Sequence, residues 1–335
     1  MEITMLGSGA WGTALANLLC ENGHAVTLWN RSPARAAEMN RTRSNPRLPG
    51  IILHPAMVCS ADPACVQESR MVVFAVPSFA IRQTASLVRP WLREDVIPVS
   101  VTKGIEAGTG LRMTQLIEVE TGKPAAVLSG PSHAEEVAKA IPTGCVAACG
   151  DLAVAEIVQD VFMNDSFRVY ASADVIGVEL SAALKNVIAL CAGVCDGLGL
   201  GDNTKALLVT RGLTELARLG IALGGREETF AGLAGVGDMI VTCTSMHSRN
   251  RRAGILIGQG VPAVQAMEQV GAVVEGYYAA NSAWQLAQQV GADMPICREA
   301  YAVLYEGKAP AETIRALMSR GKKREFEEAR WQPGV

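Results

Sequence analysis

Glu2-Ile-Thr-Met-Leu6-Gly7-Ser8-Gly9-Ala10-Trp11-Gly12-Thr13-Ala-Leu-Ala-Asn-Leu-Leu-Cys20 sets a β-rich run, three glycines at G-x-G-x-x-G spacing and a helix-forming run in direct succession. Each part has a physical reason. Gly7 permits a tight turn out of the strand, Gly9 lets the backbone approach a pyrophosphate, and Gly12 lets the helix pack on the strand. The helix N-terminus then offers unpaired N–H groups and the positive end of its dipole to the anion. Strand before and helix after distinguish this stretch from an ordinary glycine-rich turn. They predict a dinucleotide-binding fold.

Working outward, Gly23-His24 ends the helix and residues 25–29 read as a second strand. It closes where the ribose-reading residue of such a fold falls, about 20 residues past the glycines. Trp29-Asn30-Arg31-Ser32 stands there with no acid. An acid would bind the ribose hydroxyls of NAD and repel a 2′-phosphate, whereas Arg31 and Ser32 suit that phosphate, so NADPH is favoured with NADH left open. Ser32-Pro33 also reads as the N-cap and first residue of the next helix. Strand-like runs at 71–76, 96–101, 125–129, 144–148 and 167–171 are bounded by Pro, Gly or capping residues. A mostly parallel, doubly wound sheet is therefore expected over residues 1–173.

Ligands of such sheets bind beyond the carboxyl ends of the strands. That singles out Val76-Pro77-Ser78, Thr102-Lys103-Gly104 and Gly130-Pro131-Ser132-His133-Ala134. Lys103 places a cation at this edge, against the plainer reading of a solvated loop lysine. His133 is a second titratable group there, although histidines in such loops commonly have no catalytic duty.

From Asp174 the pattern turns to long helical stretches at 174–194, 203–219, 263–270, 276–290, 295–305 and 310–320, so residues 174–335 are expected to be all helical. Lys185 is the only cation between Arg168 and Lys205, and its neighbours at three and four residues are Ser181, Ala182, Ile188 and Ala189. On that apolar face a lysine either snorkels to water or sits desolvated with a lowered pKa, able to exchange a proton near neutral pH. Residues 196–203 read as a flexible glycine-rich loop. The stretch 235–254 gathers Asp238, Thr242, Thr244, Ser245, Ser248, Arg249, Asn250, Arg251 and Arg252. It reads either as a donor-rich loop for a phosphate or carboxylate or as a basic surface loop. Two anion-handling elements suit an enzyme with separate cofactor and substrate sites.

Composition narrows the class. A chain of 335 residues with 49% hydrophobic content can bury two cores, and a net charge of −3 gives no signature of a nucleic-acid or anionic-membrane partner. Residues 3–20 are uncharged but interrupted by glycines and not preceded by a basic segment. This argues against a signal peptide or an integral membrane segment, and the cysteines, read as buried reduced thiols, argue for a cytoplasmic protein. Nine cysteines with no Cys-x-x-Cys pair argue against a disulfide framework and a zinc site. Cys145/Cys149 and Cys191/Cys195 are spaced for one helix face but lack completing ligands, so no metal is expected. The mixed-charge run 320–330 reads as a solvated terminus.

Taken together, Gly7-Ser-Gly-Ala-Trp-Gly-Thr-Ala-Leu-Ala16, Val101-Thr-Lys103-Gly-Ile-Glu106, Leu128-Ser-Gly-Pro-Ser-His-Ala134, Ala183-Leu-Lys185-Asn-Val187 and Gly237-Asp-Met-Ile-Val-Thr-Cys-Thr-Ser-Met-His-Ser-Arg-Asn-Arg251 resemble the NAD(P)-dependent glycerol-3-phosphate dehydrogenase family of bacterial type. These five ordered motifs span nearly the whole chain. The resemblance implies a Rossmann-like domain followed by an all-α substrate domain, and reversible reduction of dihydroxyacetone phosphate to sn-glycerol 3-phosphate for glycerophospholipid synthesis, by a homodimer. It also implies that Lys185 is the catalytic acid–base, that Lys103 serves both cofactor and substrate, and that Asp238 orients a hydroxyl or a lysine. Gly130, Ser132, Ser248, Arg249 and Asn250 would contact substrate. Gly7, Gly9, Ala10, Trp11, Gly12, Arg31, Ala134, Arg249, Val273 and Glu275 would contact the nucleotide. Ala10 stands where many members have serine, but its contact would be through the backbone. Two alternatives remain. A related hydroxyacid dehydrogenase would have little use for so donor-rich a loop, and a non-catalytic NADPH sensor would not need Lys103, Lys185 and Asp238 together.

Overall fold

The computed structural model describes residues 1–322 and 324–325. Strands β1 (Glu2–Leu6), β2 (Ala25–Trp29), β3 (Val58–Ser60), β4 (Met71–Phe74), β5 (Ile97–Ser100), β6 (Ala126–Ser129), β7 (Thr143–Ala148) and β8 (Phe167–Ser172) form one sheet in the order β3-β2-β1-β4-β5-β6-β7-β8. From β3 to β6 every pairing is parallel. The β6–β7 pair is antiparallel and β7–β8 parallel, so the last two strands run against the rest. Strand order reverses between β1 and β4, which opens a crevice at their carboxyl ends.

Helices α1 (Ala10–Glu21), α2 (Pro33–Thr42), α3 (Ile81–Val88), α4 (Met113–Thr121), α5 (Ala134–Val137) and α6 (Leu152–Phe162) accompany the strands. The sheet is packed on both faces, which is why Ile3–Leu6 and all of β4 are uniformly buried and apolar instead of alternating. Met5, Leu15, Leu19 and Val73 belong to one core, and Leu6, Phe74, Ile81 and Leu116 to the other. The sequence pattern anticipates seven of the strands but not β3, and it does not distinguish the reversed direction of β7.

After β8, Asp174 accepts from the Gly177 N–H at 2.8 Å and starts α7 (Val175–Gly197). Helices α8 (Asp202–Ala222), α9 (Glu227–Ala231), α10 (Asp238–Thr244), α11 (Arg249–Gly258), α12 (Ala263–Val270), α13 (Glu275–Val290), α14 (Pro295–Tyr305) and α15 (Pro310–Met318) follow. Helix α7 is buried almost all round by this array, as a helix apolar on every face must be. It is long and apolar enough to cross a membrane by composition, yet 83% of its most apolar window is buried inside the protein. Against it lies α11. A Cβ added at Gly193 would stand 2.1 Å from the Arg251 carbonyl oxygen, and one at Gly254 2.0 Å from that of Leu190. Gly193 and Gly197 face Gly254 and Gly258, so the two backbones touch. This contact seats the first turn of α11 beside the middle of α7.

The stretch 235–254 is not a loop. A π-helical turn, Leu233–Gly237, leads into α10, and Ser248 caps α11 by accepting from the Arg251 N–H at 3.2 Å. The hydroxyls of Thr242 and Thr244 donate to carbonyls four residues back, at 2.6 and 2.8 Å, which accommodates them within a helix. Cys145 lies in β7, so its spacing to Cys149 is not a helical one; Cys191 and Cys195 do share α7, and all nine cysteines are free thiols. Residues 326–330 of the mixed-charge terminus lie outside the described residues, as does Lys323.

Candidate active site

Asp238 is the first residue of α10, is 2% exposed, and holds two ammonium groups. Its Oδ1 accepts from Lys185 Nζ at 2.6 Å and its Oδ2 from Lys103 Nζ at 2.7 Å. Lys185 projects from the middle of α7, 3% exposed, and also donates to the Thr242 hydroxyl. Lys103 reaches from the turn after β5, donating as well to the Gly130 carbonyl at 3.0 Å. Of the two readings of Lys185 left open by its apolar surroundings, the desolvated one holds. An ammonium has three donors, and the described residues use two on each lysine.

The electrostatics follow from this geometry. Burial lowers the pKa of Lys185 to about 8; the Asp238 carboxylate resists the change and the Lys103 charge assists it. Burial alone would raise Asp238, but the two ammonium groups overcome it and hold that carboxyl below its usual range. The site therefore keeps one stable anion beside a lysine that gives up its proton readily.

Around this centre, Asn250 in the first turn of α11 donates to Asn186 Oδ1 at 2.8 Å and accepts from the Gly276 N–H at 2.9 Å, tying α11 to α7 and α13. Ser132 donates to the Gly130 carbonyl at 3.0 Å. Ser248 is buried, whereas the side chain of Arg249 is exposed. Arg251, two residues further on, instead bonds Asp196 at 2.8 Å and the Thr244 carbonyl at 2.6 Å. The sequence did not single out Thr242 as a ligand of Lys185. Its signal was the spacing of four from Asp238, which places both on one helical face only once 238–244 is recognised as helix.

At the β1 end, Gly7 has φ +116°, and a Cβ there would stand 2.7 Å from the Ala75 carbonyl oxygen. A Cβ at Gly12 would stand 2.0 Å from the Gly7 carbonyl oxygen. These backbone approaches, with Gly9 as N-cap and no acid in the first turn of α1, fit a pyrophosphate. Ala10 and Trp11 begin α1, half-buried. At the end of β2, Asn30 donates to the Ser8 hydroxyl and Arg31 is exposed. Ala134 opens α5, and Val273 lies just before α13. Glu275, the first residue of α13, accepts from Ser78 at 2.8 Å and so bridges to the turn after β4. Burial raises its pKa, opposed by Ser78 and the Arg249 charge.

Residues 2–155 match the family model described as NAD-dependent glycerol-3-phosphate dehydrogenase N-terminus, and residues 174–315 match its C-terminus counterpart. The chain belongs to the NAD-dependent glycerol-3-phosphate dehydrogenase family. A relative named glycerol-3-phosphate dehydrogenase [NAD(P)+] from Moorella thermoacetica is 51% identical over 332 residues, covering 98% of this chain and 99% of that one. Another of that name, from Desulfitobacterium hafniense, is 49% identical over 98% of this chain and 94% of its own. The crystal structure of the glycerol-3-phosphate dehydrogenase of Coxiella burnetii superposes with a TM-score of 0.91 at 36% identity, covering 95% of this chain and 99% of that one.

Proposed function

We propose that this chain reduces dihydroxyacetone phosphate to sn-glycerol 3-phosphate, reversibly, with residues 1–173 holding a nicotinamide dinucleotide and residues 174–335 most of the substrate. Membership of the family and the names of its full-length relatives support the reaction. The single observation that carries the chemistry is the Lys185–Asp238–Lys103 bridge at 2.6 and 2.7 Å.

When bound in the β1–β4 crevice, the nicotinamide supplies the hydride that the carbonyl carbon receives. The chain supplies the rest. The unspent N–H of Lys185 donates to the carbonyl oxygen and passes its proton there as the carbon–oxygen π bond opens. Lys103 stabilises the negative charge that builds on that oxygen. When Lys185 becomes a neutral amine, Asp238 keeps its charge paired with Lys103, so the proton leaves without stranding a buried carboxylate. In the reverse direction Lys185 takes the proton back from the alcohol. Ser248, Arg249 and Asn250 at the N-terminus of α11 bind the remote phosphate, and that binding energy positions the carbonyl.

NADPH is the preferred reductant in this proposal, because residues 29–32 offer Arg31 and Ser32 to a 2′-phosphate and no acid to the ribose. A cytoplasmic homodimer that supplies glycerophospholipid synthesis is the setting that the family resemblance implies.

The test is NADPH oxidation with dihydroxyacetone phosphate, dihydroxyacetone or a 3-oxo acid as acceptor. Fast oxidation with the phosphorylated ketone alone is expected. Turnover of the oxo acid instead would place the protein among hydroxyacid dehydrogenases, and NADPH binding without turnover on any of the three would make it a sensor.

A further inference from the structure

His133 is the prominent polar side chain at the site with no part in this chemistry. It occupies the N-cap position of α5, at the carboxyl end of β6 and next to Ser132. Its Nε2 is shut off from solvent and has no hydrogen-bond partner among the described residues. Its ring lies 5.6 Å from that of His247, tilted by 52°. His247 immediately precedes Ser248, the N-cap of α11. The pair thus joins the turn after β6 to the turn that opens the proposed phosphate site, while Lys103 ties the same turn after β6, through Gly130, to Asp238 at the start of α10.

A shielded imidazole nitrogen without a partner is costly, and one that persists calls for a reason such as a functional role or a partner outside the protein. Burial first, and then the charges of Lys185, His247 and Lys103, disfavour a proton on this ring; Glu136 opposes them. The resting imidazole is therefore neutral, with one N–H to give. Ser132, one residue earlier, has its hydroxyl committed to Gly130, so His133 is the next donor available along that turn. The carbonyl oxygen already has two lysines.

We propose that His133 is a substrate-positioning residue whose Nε2–H, shielded in the resting fold, turns to donate to the substrate phosphate from the turn after β6. This rests on the dihydroxyacetone phosphate assignment above. It makes the phosphate site span both halves of the chain, so that binding the phosphate draws the turn after β6 and the start of α11 onto one group.

His133→Phe keeps a ring of similar size and removes both nitrogens, while His133→Gln restores an amide donor. For each variant, kcat/KM is measured with dihydroxyacetone phosphate and with dihydroxyacetone, together with the inhibition constant of inorganic phosphate. In His133→Phe, kcat/KM for the phosphorylated ketone should fall about 10- to 100-fold, mainly through KM, as expected for a lost hydrogen bond to a charged group. Phosphate inhibition should weaken by a similar factor, dihydroxyacetone should change by less than about 2-fold, and His133→Gln should recover part of the loss. The ratio of the two substrates on one preparation is independent of the folded fraction. Parallel losses on both substrates, or an unchanged KM and phosphate inhibition, would overturn the role of His133. Wild-type protein inactive on dihydroxyacetone phosphate would instead overturn the parent assignment.

Discussion

Replacing Asp238 by asparagine keeps the side-chain volume and removes the one charge shared by both ammonium groups. Lys185, with a side chain 4% exposed, already titrates near 8 because burial outweighs the carboxylate 2.6 Å away. Without that carboxylate, burial and the Lys103 charge lose their main opponent. An opposite charge in contact is worth ~1–3 pKa units, so the lysine should fall to roughly 6. At about pH 7.5 its protonated fraction then drops from roughly three-quarters to roughly 3%, a loss of about 25-fold in ketone reduction that is recovered on acidification. Initial rates of NADPH oxidation at saturating dihydroxyacetone phosphate, taken across the pH range, read this directly. Wild-type reduction should decline as pH rises through about 8, where Lys185 loses the proton that it must donate. In the Asp238→Asn variant the same limb should lie about two units lower. A limb that stays near 8 with uniformly reduced amplitude would refute the claim that Asp238 sets the protonation of Lys185.

Three further outcomes are expected. Gly12→Ala forces α1 away from a carbonyl oxygen 2.0 Å from the new Cβ, so NADPH affinity by fluorescence titration should weaken at least about 10-fold. Arg249→Ala leaves the Ser248 cap intact, so stability should hold within about 0.5 kcal/mol while kcat/KM for dihydroxyacetone phosphate falls roughly 100-fold. Glu215 caps α14 by accepting from the N–H groups of Ile296 (2.8 Å) and Cys297 (3.2 Å), and burial raises its pKa to about 7. The folded state then binds more protons than the unfolded one between about 4.5 and 7, so this contribution is complete below that window and lost as pH rises through it, up to about 3 kcal/mol. Urea titrations at both ends should show that slope, and Glu215→Gln should lack it.

What the sequence discloses and what it hides follow from the range of the interactions. The β1–Gly7–α1 unit is legible because its three glycines answer local constraints within a dozen residues. Helices α7, α8 and α12 to α15 are legible from length and pattern, but α9, α10 and α11 are not. Strand β3 is three residues long and shows no period. Helix α11 is hidden because Arg249-Asn250-Arg251-Arg252 begins it with four polar residues, which imitate a loop; only Ala253, Gly254 and Ile257 then mark the buried face. The Gly193–Gly197 and Gly254–Gly258 pairs stand in plain view, but nothing local says that they meet. Likewise Lys185 can be read as desolvated or snorkelling until α10 brings Asp238 and Thr242 to it from more than fifty residues away. The turn chemistry of the site is thus local in origin, whereas its charge balance is wholly tertiary.

The most direct test of the central claim is Lys185→Ala, assayed for NADPH-dependent reduction of dihydroxyacetone phosphate beside a fluorescence titration of NADPH. If Lys185 carries the proton, turnover falls at least about 100-fold while NADPH affinity changes by less than about 2-fold. Turnover within a few-fold of wild type, with cofactor binding intact, would contradict it.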